Sequence, residues 1–449
     1  MAVLIASSKP ILIVGLGLTG VSVARFLRRQ GRPFAIADSR AAPPMLTDFQ
    51  REFPDQPPRL GTLQAEFVCQ FDEIILSPGL PREEPAIAAA IAAGKAVIGD
   101  IELFLREARA PIVAITGSNG KTTVTTLLGE MAKTAGRNVG VGGNLGTPAL
   151  DLLDAAADLY VLELSSFQLE SIPKLSATAA TILNISDDHM DRYGTLAAYH
   201  KAKQRIYFGA KMALANRDDV LTQPPLAEGL RYCQFGLQTP DLKDFGLRRE
   251  DGQVFLAKGL KCLLNIQELK IRGLHNCANA LAALALGEAV NLPLEAMLQT
   301  LREFTGLPHR CQFVASRGGV DYYNDSKATN VGATLAALNG MASRPQHIVL
   351  IAGGDGKGAD FSPLIGPLKQ TVKALITIGR DGEQLGDLVR GDLPVVHCQS
   401  LPAAVAMAAE QAAAGDLVLL SPACASLDMF KNYEERGHIF MSAVEALPQ

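Results

Sequence analysis

The chain has 449 residues, 48% of them hydrophobic and 20% charged, with a formal net charge of −4. That length suggests two or three cores rather than one, and the near-neutral charge argues against a nucleic-acid footprint and for work on small molecules. No apolar run approaches a bilayer span. Cys69, Cys233, Cys262, Cys277, Cys311, Cys398 and Cys424 form no CxxC pair and the seven histidines show no HExxH spacing, so a reducing compartment is expected and a disulfide or zinc framework is not.

The start, MAVLIASSKPILIVG, lacks a basic n-region and reads as mature structure rather than a signal peptide. Strand, glycine turn and helix then recur three times, which predicts an α/β architecture with parallel sheets. The first unit is Ile11-Leu12-Ile13-Val14, then GLGLTG, then VSVARFLRRQG. Gly15, Gly17 and Gly20 have the dinucleotide spacing, and Asp38 ends the next strand where an acid accepts from ribose hydroxyls. NAD and a UDP-sugar both fit that pattern, as does a tight turn that packs helix on sheet.

A boundary is expected near residue 100, after AVIGD and before the helix IELFLREAR. The second unit, Pro111 to Ile115 followed by TGSNGKTT, carries the sharpest signal. Gly117, Ser118, Asn119, Gly120, Lys121, Thr122 and Thr123 form a shortened phosphate loop, GxxGKT, at a helix start. Its amides and helix terminus suit phosphate, Lys121 the β- and γ-phosphates, and Thr122 magnesium. Glu163 ends the strand LYVLEL, a usual place for a magnesium-holding acid. Asp187, Asp188, His189 and Asp191 follow ATILNIS and read as a metal site or a solvated loop. Lys201 and Lys203 lie on a helix, where a surface position is equally consistent. Residues 231 to 272 alternate around Asp251-Gly252 and predict antiparallel strands.

A second boundary is expected at Thr305-Gly306-Leu307-Pro308, after the helix LEAMLQTLREF. The predicted domains are thus 1–100, 101–306 and 307–449. The third unit is the strand beginning at His347, followed by AGGDGKGADF. NDSKATN (324–330) and SPACAS (421–426) place polar groups at C-terminal strand ends, as ligand contacts or as capped loops. Cys424 reads as a small packed residue rather than a nucleophile, since no base is evident.

In order along the chain, TGSNGKTT, GGNLG, ELSSFQLE, NISDDHMDRYG, AKQRIY, GLHNCANALAA, GLPHR, NDSKATN, GGDGK and SPACASLD resemble the Mur ligase family over essentially the whole length. The series is similar, in order, to that of the family's D-glutamate-adding member. The resemblance implies three domains: a Rossmann-like N-terminal one, a P-loop-type central ATPase with a small antiparallel sheet, and a Rossmann-like C-terminal one. It implies cytoplasmic peptidoglycan synthesis by a monomer that uses ATP, Mg²⁺, UDP-N-acetylmuramoyl-L-alanine and D-glutamate, without nucleic acid or membrane. Leu18, Thr19, Asp38, Ser39, Arg40, Ser77, Gly79, Asn144, Ser165 and His189 would hold the UDP-substrate. The phosphate loop with Asn276, Asn279, Arg310, Asp325 and Lys327 would bind ATP. Lys121, Glu163, His189 and Lys203 would be catalytic. Thr122, Glu163, His189 and Lys203 would hold metal, with Lys203 as a carbamate. Thr329, Lys357, Ser426, Leu427 and Tyr433 would hold D-glutamate. Ser39 and Tyr433 replace a threonine and a phenylalanine of better-known members and keep their chemical type. An NAD-dependent oxidoreductase would leave GSNGKTT unexplained, and a folylpolyglutamate synthetase would leave the first glycine-rich domain unexplained. A nucleotide-binding switch without turnover is the non-enzymatic reading.

Overall fold

The computed structural model describes residues 10–144, 146–225, 227–271, 273–341 and 347–448. The expectation for the first nine residues lies outside them, as do Leu145 of GGNLG and Arg272. The first sheet contains β1 Ile11–Val14, β2 Phe34–Asp38, β3 Arg59–Leu60, β4 Glu73–Leu76 and β5 Ala96–Ile98, in the order β3-β2-β1-β4-β5. All its pairs are parallel. The unbroken apolar run of β1 is buried throughout, as a strand covered on both faces requires. The order reverses between β1 and β4, and Gly15 and Ser77 follow those two strands. A crevice at such a switch point is where open α/β sheets take ligands.

The second sheet contains β6 Ile112–Thr116, β7 Val139–Gly143, β8 Leu159–Glu163, β9 Ala179–Ile182, β10 Met212–Asn216, β11 Arg231–Phe235, β12 Phe245–Glu250, β13 Gln253–Lys258 and β14 Lys261–Asn265. Its order is β14-β13-β12-β11-β10-β9-β6-β8-β7. The chain leaves β6 through the phosphate loop into the helix Lys121–Thr134, which packs against the helices Leu274–Ala289 and Leu294–Glu303. The expected small antiparallel sheet is not a separate body. β12, β13 and β14 are antiparallel to one another, yet they extend the parallel sheet through one pairing, Phe235 with Phe245. β11 itself is parallel to β10, so the antiparallel region is shorter than expected. Its turn lies at Asp251-Gly252, both at positive φ, as a tight hairpin demands.

The third sheet contains β15 Gln312–Arg317, β16 Val320–Asn324, β17 Ile348–Gly353, β18 Val372–Ile378, β19 Val395–His397 and β20 Leu417–Leu420, in the order β15-β16-β20-β17-β18-β19. Among the described residues only the β15–β16 pair of this sheet is antiparallel. The third predicted unit differs from the other two. After β17 the glycine turn leads into a loop and a short 3-10 turn, and the helix begins at Ile365.

One continuous apolar cluster runs from the first sheet into the second, with Phe104 edge-on to Tyr160 at 5.0 Å. The third sheet has cores of its own. Among the described residues no helix is long and apolar enough to cross a membrane.

Asp100, buried at the start of the helix Asp100–Glu107, faces Gln168 of the second sheet's layer. Burial raises its carboxyl to about 6, although the Ile101 amide, its own amide and Gln168 oppose the shift. A raised acid stabilises the fold while protonated, and that contribution is lost as pH rises from about 4 through about 6. Asp100→Asn is therefore expected to flatten the pH dependence of unfolding by about 3 kcal/mol across that window, measured by denaturant melts.

Candidate active site

The phosphate loop is shaped by contacts that only glycine permits. Gly117 has φ +152°, and a Cβ there would lie 3.1 Å from Leu183 Cβ. Gly120 has φ +81°, and its Cβ would lie 2.6 Å from Asn279 Oδ1. Asn184 then ties the loop down. The Asn119 amide donates to Asn184 Oδ1 at 2.8 Å, and Asn184 Nδ2 donates to Asn119 O at 3.0 Å. Ser118 Oγ donates to Ser186 O and accepts from Ser186 N, both at 2.9 Å. The helix Lys121–Thr134 carries no side-chain N-cap, so its first amides are available to an anion. Lys121 Nζ curls over the loop and donates to Gly117 O at 2.8 Å and Ser118 O at 2.9 Å. Burial lowers the Lys121 pKa, and the charges of Glu163 and Asp188 work against that.

Glu163 is buried and accepts from Asn144 Nδ2 on Oε1 at 2.7 Å, while its Oε2 has no partner among the described residues. A buried carboxylate oxygen left bare is costly unless a cation completes it. His189 sits at φ +57°, with its ring 4.8 Å from Phe167. Burial lowers its pKa, Asp188 partly offsets this, and Lys357 and Lys121 lower it further, so the imidazole is neutral at physiological pH. Lys203 is 1% exposed, which excludes the surface reading. Its Nζ donates to Thr116 Oγ1 at 3.1 Å and Gly117 O at 3.0 Å and lies 4.7 Å from the Tyr199 ring centroid. Burial, reinforced by Lys121, holds its pKa well below the usual lysine value.

A cleft of about 240 Å³ lies between the second and third sheets. Asn119, Gly120, Thr123, Asn276, Asn279, Arg310, Asp325 and Lys327 line it, all expected at the nucleotide. Gly117, Ser118, Lys121 and Thr122 are not part of this lining. Asn279 Nδ2 donates to Asn276 Oδ1 at 3.2 Å. Burial raises Asp325 to about 7, though Ser421 Oγ and the Cys311 amide donate to it. Burial pushes Lys327 down to about 8, and its Nζ lies 3.8 Å from the Tyr433 ring centroid.

In the first sheet a Cβ on Gly20 would stand 1.9 Å from Gly15 O, so helix and turn meet only through glycine. The helix Leu18–Arg29 also lacks a side-chain cap, with Thr19 in its first turn and Leu18 62% exposed. Ser77 Oγ donates to Gly15 O at 3.2 Å, Gly79 follows in the same loop, and Ser39 is exposed after β2. The oxygens of Asp38 accept from the Leu16 amide at 2.6 Å and from Arg40 N, Nε and Nη2 at 2.8, 2.8 and 2.7 Å. Burial works to raise its pKa, but these bonds prevail and lower it. Four donors fill a carboxylate's four acceptor positions. Asp38 here builds the loop and carries Arg40. Ser165 likewise caps its own helix, accepting from Gln168 N at 3.2 Å.

Three family models match in order: Mur ligase MurD-like, N-terminal domain, over residues 9–99; Mur ligase middle domain over 115–287; and Mur ligase, glutamate ligase domain, over 309–424. The chain belongs to the Mur ligase family. It is 56% identical over 445 residues, 99% of each chain, to the UDP-N-acetylmuramoylalanine--D-glutamate ligase of Pseudomonas syringae pv. tomato. The protein of that name from Pseudomonas aeruginosa is 55% identical with the same coverage. Two solved structures share the fold. The UDP-N-acetylmuramate-alanine ligase of Thermotoga maritima has TM-score 0.59 at 19% identity, covering 97% of this chain and 99% of its own. A pseudomurein peptide ligase type C of Methanothermus fervidus has TM-score 0.61 at 19% identity, covering 92% and 96%.

Within this Mur ligase the residues expected at D-glutamate come from three loops of the third sheet. Thr329 lies in the loop after β16, Lys357 at φ +52° in the loop after β17, and Ser426 and Leu427 after β20, with Leu427 68% exposed. Tyr433 opens the helix Tyr433–Glu445. Two of the loops are joined by Arg436, which the sequence reading missed. The fully buried guanidinium donates to Ser326 Oγ at 3.0 Å, Ser326 O at 2.8 Å and Cys424 O at 3.1 Å. The signal was present: Arg436 shares a helical face with Phe440 and Val444, both buried. Cys424 is fully buried, as a packed residue. Arg436→Met is expected to cost about 3 kcal/mol of stability, since several carbonyls lose a charged donor. Chemical denaturation measures this. Asn330 was read only as part of NDSKATN, and its partners were not foreseen. It donates to Asn119 Oδ1 at 3.3 Å and Asp188 Oδ2 at 3.4 Å, joining the third sheet's layer to the phosphate loop.

Proposed function

We propose that this Mur ligase joins D-glutamate to UDP-N-acetylmuramoyl-L-alanine with hydrolysis of ATP to ADP and phosphate, in cytoplasmic peptidoglycan precursor synthesis, as a monomer. The observation that carries the substrate assignment is the 56% identity over 99% of both chains to a relative named for that reaction. We read residues 1–100 and 307–449 as Rossmann-like domains for the uridine substrate and the amino acid, and 101–306 as a P-loop-type ATPase.

The geometry supports a carboxylate-activating mechanism. The alanyl carboxylate oxygen attacks the γ-phosphorus, ADP leaves, and an acyl phosphate results. The amine nitrogen of D-glutamate then attacks the carbonyl carbon, and phosphate leaves with the C–O bond pair. Anion meets anion in the first step, so fixed positive charge is the main requirement. Lys121 and the bare amides of the helix Lys121–Thr134 supply it. Asn276, Asn279, Arg310, Asp325 and Lys327 orient the nucleotide. The amine must arrive unprotonated, so its proton passes to a base or to water, and His189 as a metal ligand does not take it. Lys357 supplies positive charge for a carboxylate of the amino acid.

The residues present fit magnesium. Glu163 Oε2 is buried and bare, and the Thr122 hydroxyl opens the adjoining helix. Thr122 and Glu163 would hold one ion, and Glu163, His189 and a carbamate on Lys203 a second. Bound there, magnesium would neutralise phosphate charge. Calorimetry tests the nucleotide choice. UDP-N-acetylmuramoyl-L-alanine is expected to bind, and Asp38→Ala, which frees Arg40 and the Leu16 amide, is expected to weaken it. Tight NADH binding without the uridine substrate would overturn the reading.

A further inference from the structure

We infer that Arg192 is a positioning residue that locks the Ser77–Gly79 loop of the first domain to the catalytic His189 turn, and so sets where the uridine substrate's carboxylate arrives. The inference rests on the reaction proposed above. His189 introduces a single turn, Met190–Tyr193, with no buried residue of its own. Such a turn needs outside support to hold a geometry. Arg192 provides it and is only 17% exposed. Its Nη2 donates to Glu170 Oε2 at 2.6 Å, and its guanidinium lies 4.4 Å from the Phe167 ring centroid. Tyr193 donates to the other Glu170 oxygen at 2.5 Å. Phe167 in turn meets the His189 ring at 4.8 Å.

The remaining contact crosses between domains. Arg192 Nη1 donates to Pro78 O at 3.3 Å. Pro78 stands between Ser77 and Gly79, in the loop that Ser77 binds to Gly15 O at the switch point of the first sheet. One planar fork thus holds the substrate loop, the helix that follows Glu163, and an aromatic ring packed on His189. A substrate anchored in the first domain must present its carboxylate to groups in the second, and an error of about 1 Å costs about 10²-fold in rate. Lysine keeps the charge but lacks the fork, so it cannot serve all three contacts.

The test compares Arg192→Ala and Arg192→Lys with the wild type in full-length enzyme. Arg192→Ala is expected to raise KM for UDP-N-acetylmuramoyl-L-alanine at least tenfold and to lower kcat. The Kd of a non-hydrolysable ATP analogue, measured by calorimetry, should stay within twofold. Arg192→Lys should fall between Arg192→Ala and the wild type. A KM within twofold of wild type in both variants would overturn the inference. So would parallel loss of substrate and ATP-analogue binding, which marks a merely structural residue. Should Arg192→Ala fail to fold, Arg192→Lys decides by the same split. A wild-type enzyme that fails to turn over this substrate would instead remove the proposed function, and the inference with it.

Discussion

Lys121→Ala is expected to lose at least about 10²-fold in turnover while keeping its fold, because it removes a fixed charge from the point where phosphate charge develops. Lys121 Nζ is held by two carbonyls of its own loop, Gly117 and Ser118, so its loss frees no buried partner that needs an ion. Burial already lowers its pKa, and the Glu163 and Asp188 charges resist that. Phosphate between these groups would favour the ammonium further, so the lysine is best suited to being charged when substrate is bound. Steady-state phosphate release, with melting temperature as a control for folding, measures the effect. A folded variant within tenfold of wild type would show that charge at this loop is not what drives the reaction.

Lys203→Ala is expected to be nearly inactive, and acetate or formate is expected to restore part of its activity. An exposed lysine would be a cation and a poor neighbour for magnesium. This one is buried, with a pKa held well below the usual value by burial and by Lys121. An uncharged amine is the form that attacks carbon dioxide. The new N–C bond costs one proton and leaves an anionic carbamate, the oxygen donor that magnesium prefers. Lys203 also sits beside Thr116 and Gly117, at the root of the phosphate loop, and it feels the charge of Glu163. A small acid that enters the space left by Lys203→Ala would replace the carbamate oxygens. Full activity of the variant in decarbonated buffer, or a complete lack of rescue in a folded inactive variant, would exclude a carbamate.

The main strands were legible because their patterns are strong. Ile11–Val14 and Ile112–Thr116 are short apolar runs that end at glycines, and both are buried parallel strands. Gly117 and Gly120 were legible as a phosphate loop because only glycine allows their φ and their close neighbours. Partnership across the chain was not legible. Asp38 ends a strand as a ribose-binding acid would, but the Leu16 amide and Arg40 occupy its oxygens. Asn184 was visible only as part of a motif, and its grip on Asn119 depends on β6 and β9 lying side by side. Lys203 could not be told from a surface lysine, since the helix Leu196–Gln204 has too weak an apolar pattern to show which face is covered. The antiparallel strands were predicted, but their attachment to the main sheet rests on one pairing, Phe235 with Phe245, which no local signal marks.

In the proposed reaction a uridine-linked carboxylate is activated by ATP and captured by D-glutamate. The most direct test supplies the purified chain with ATP, magnesium and UDP-N-acetylmuramoyl-L-alanine, adds one amino acid at a time, and measures phosphate release and the amide product together. Stoichiometric phosphate and amide are expected with D-glutamate, and neither with L-glutamate or L-alanine. Phosphate and amide formed with another amino acid in preference to D-glutamate, or none with any, would contradict the proposed reaction.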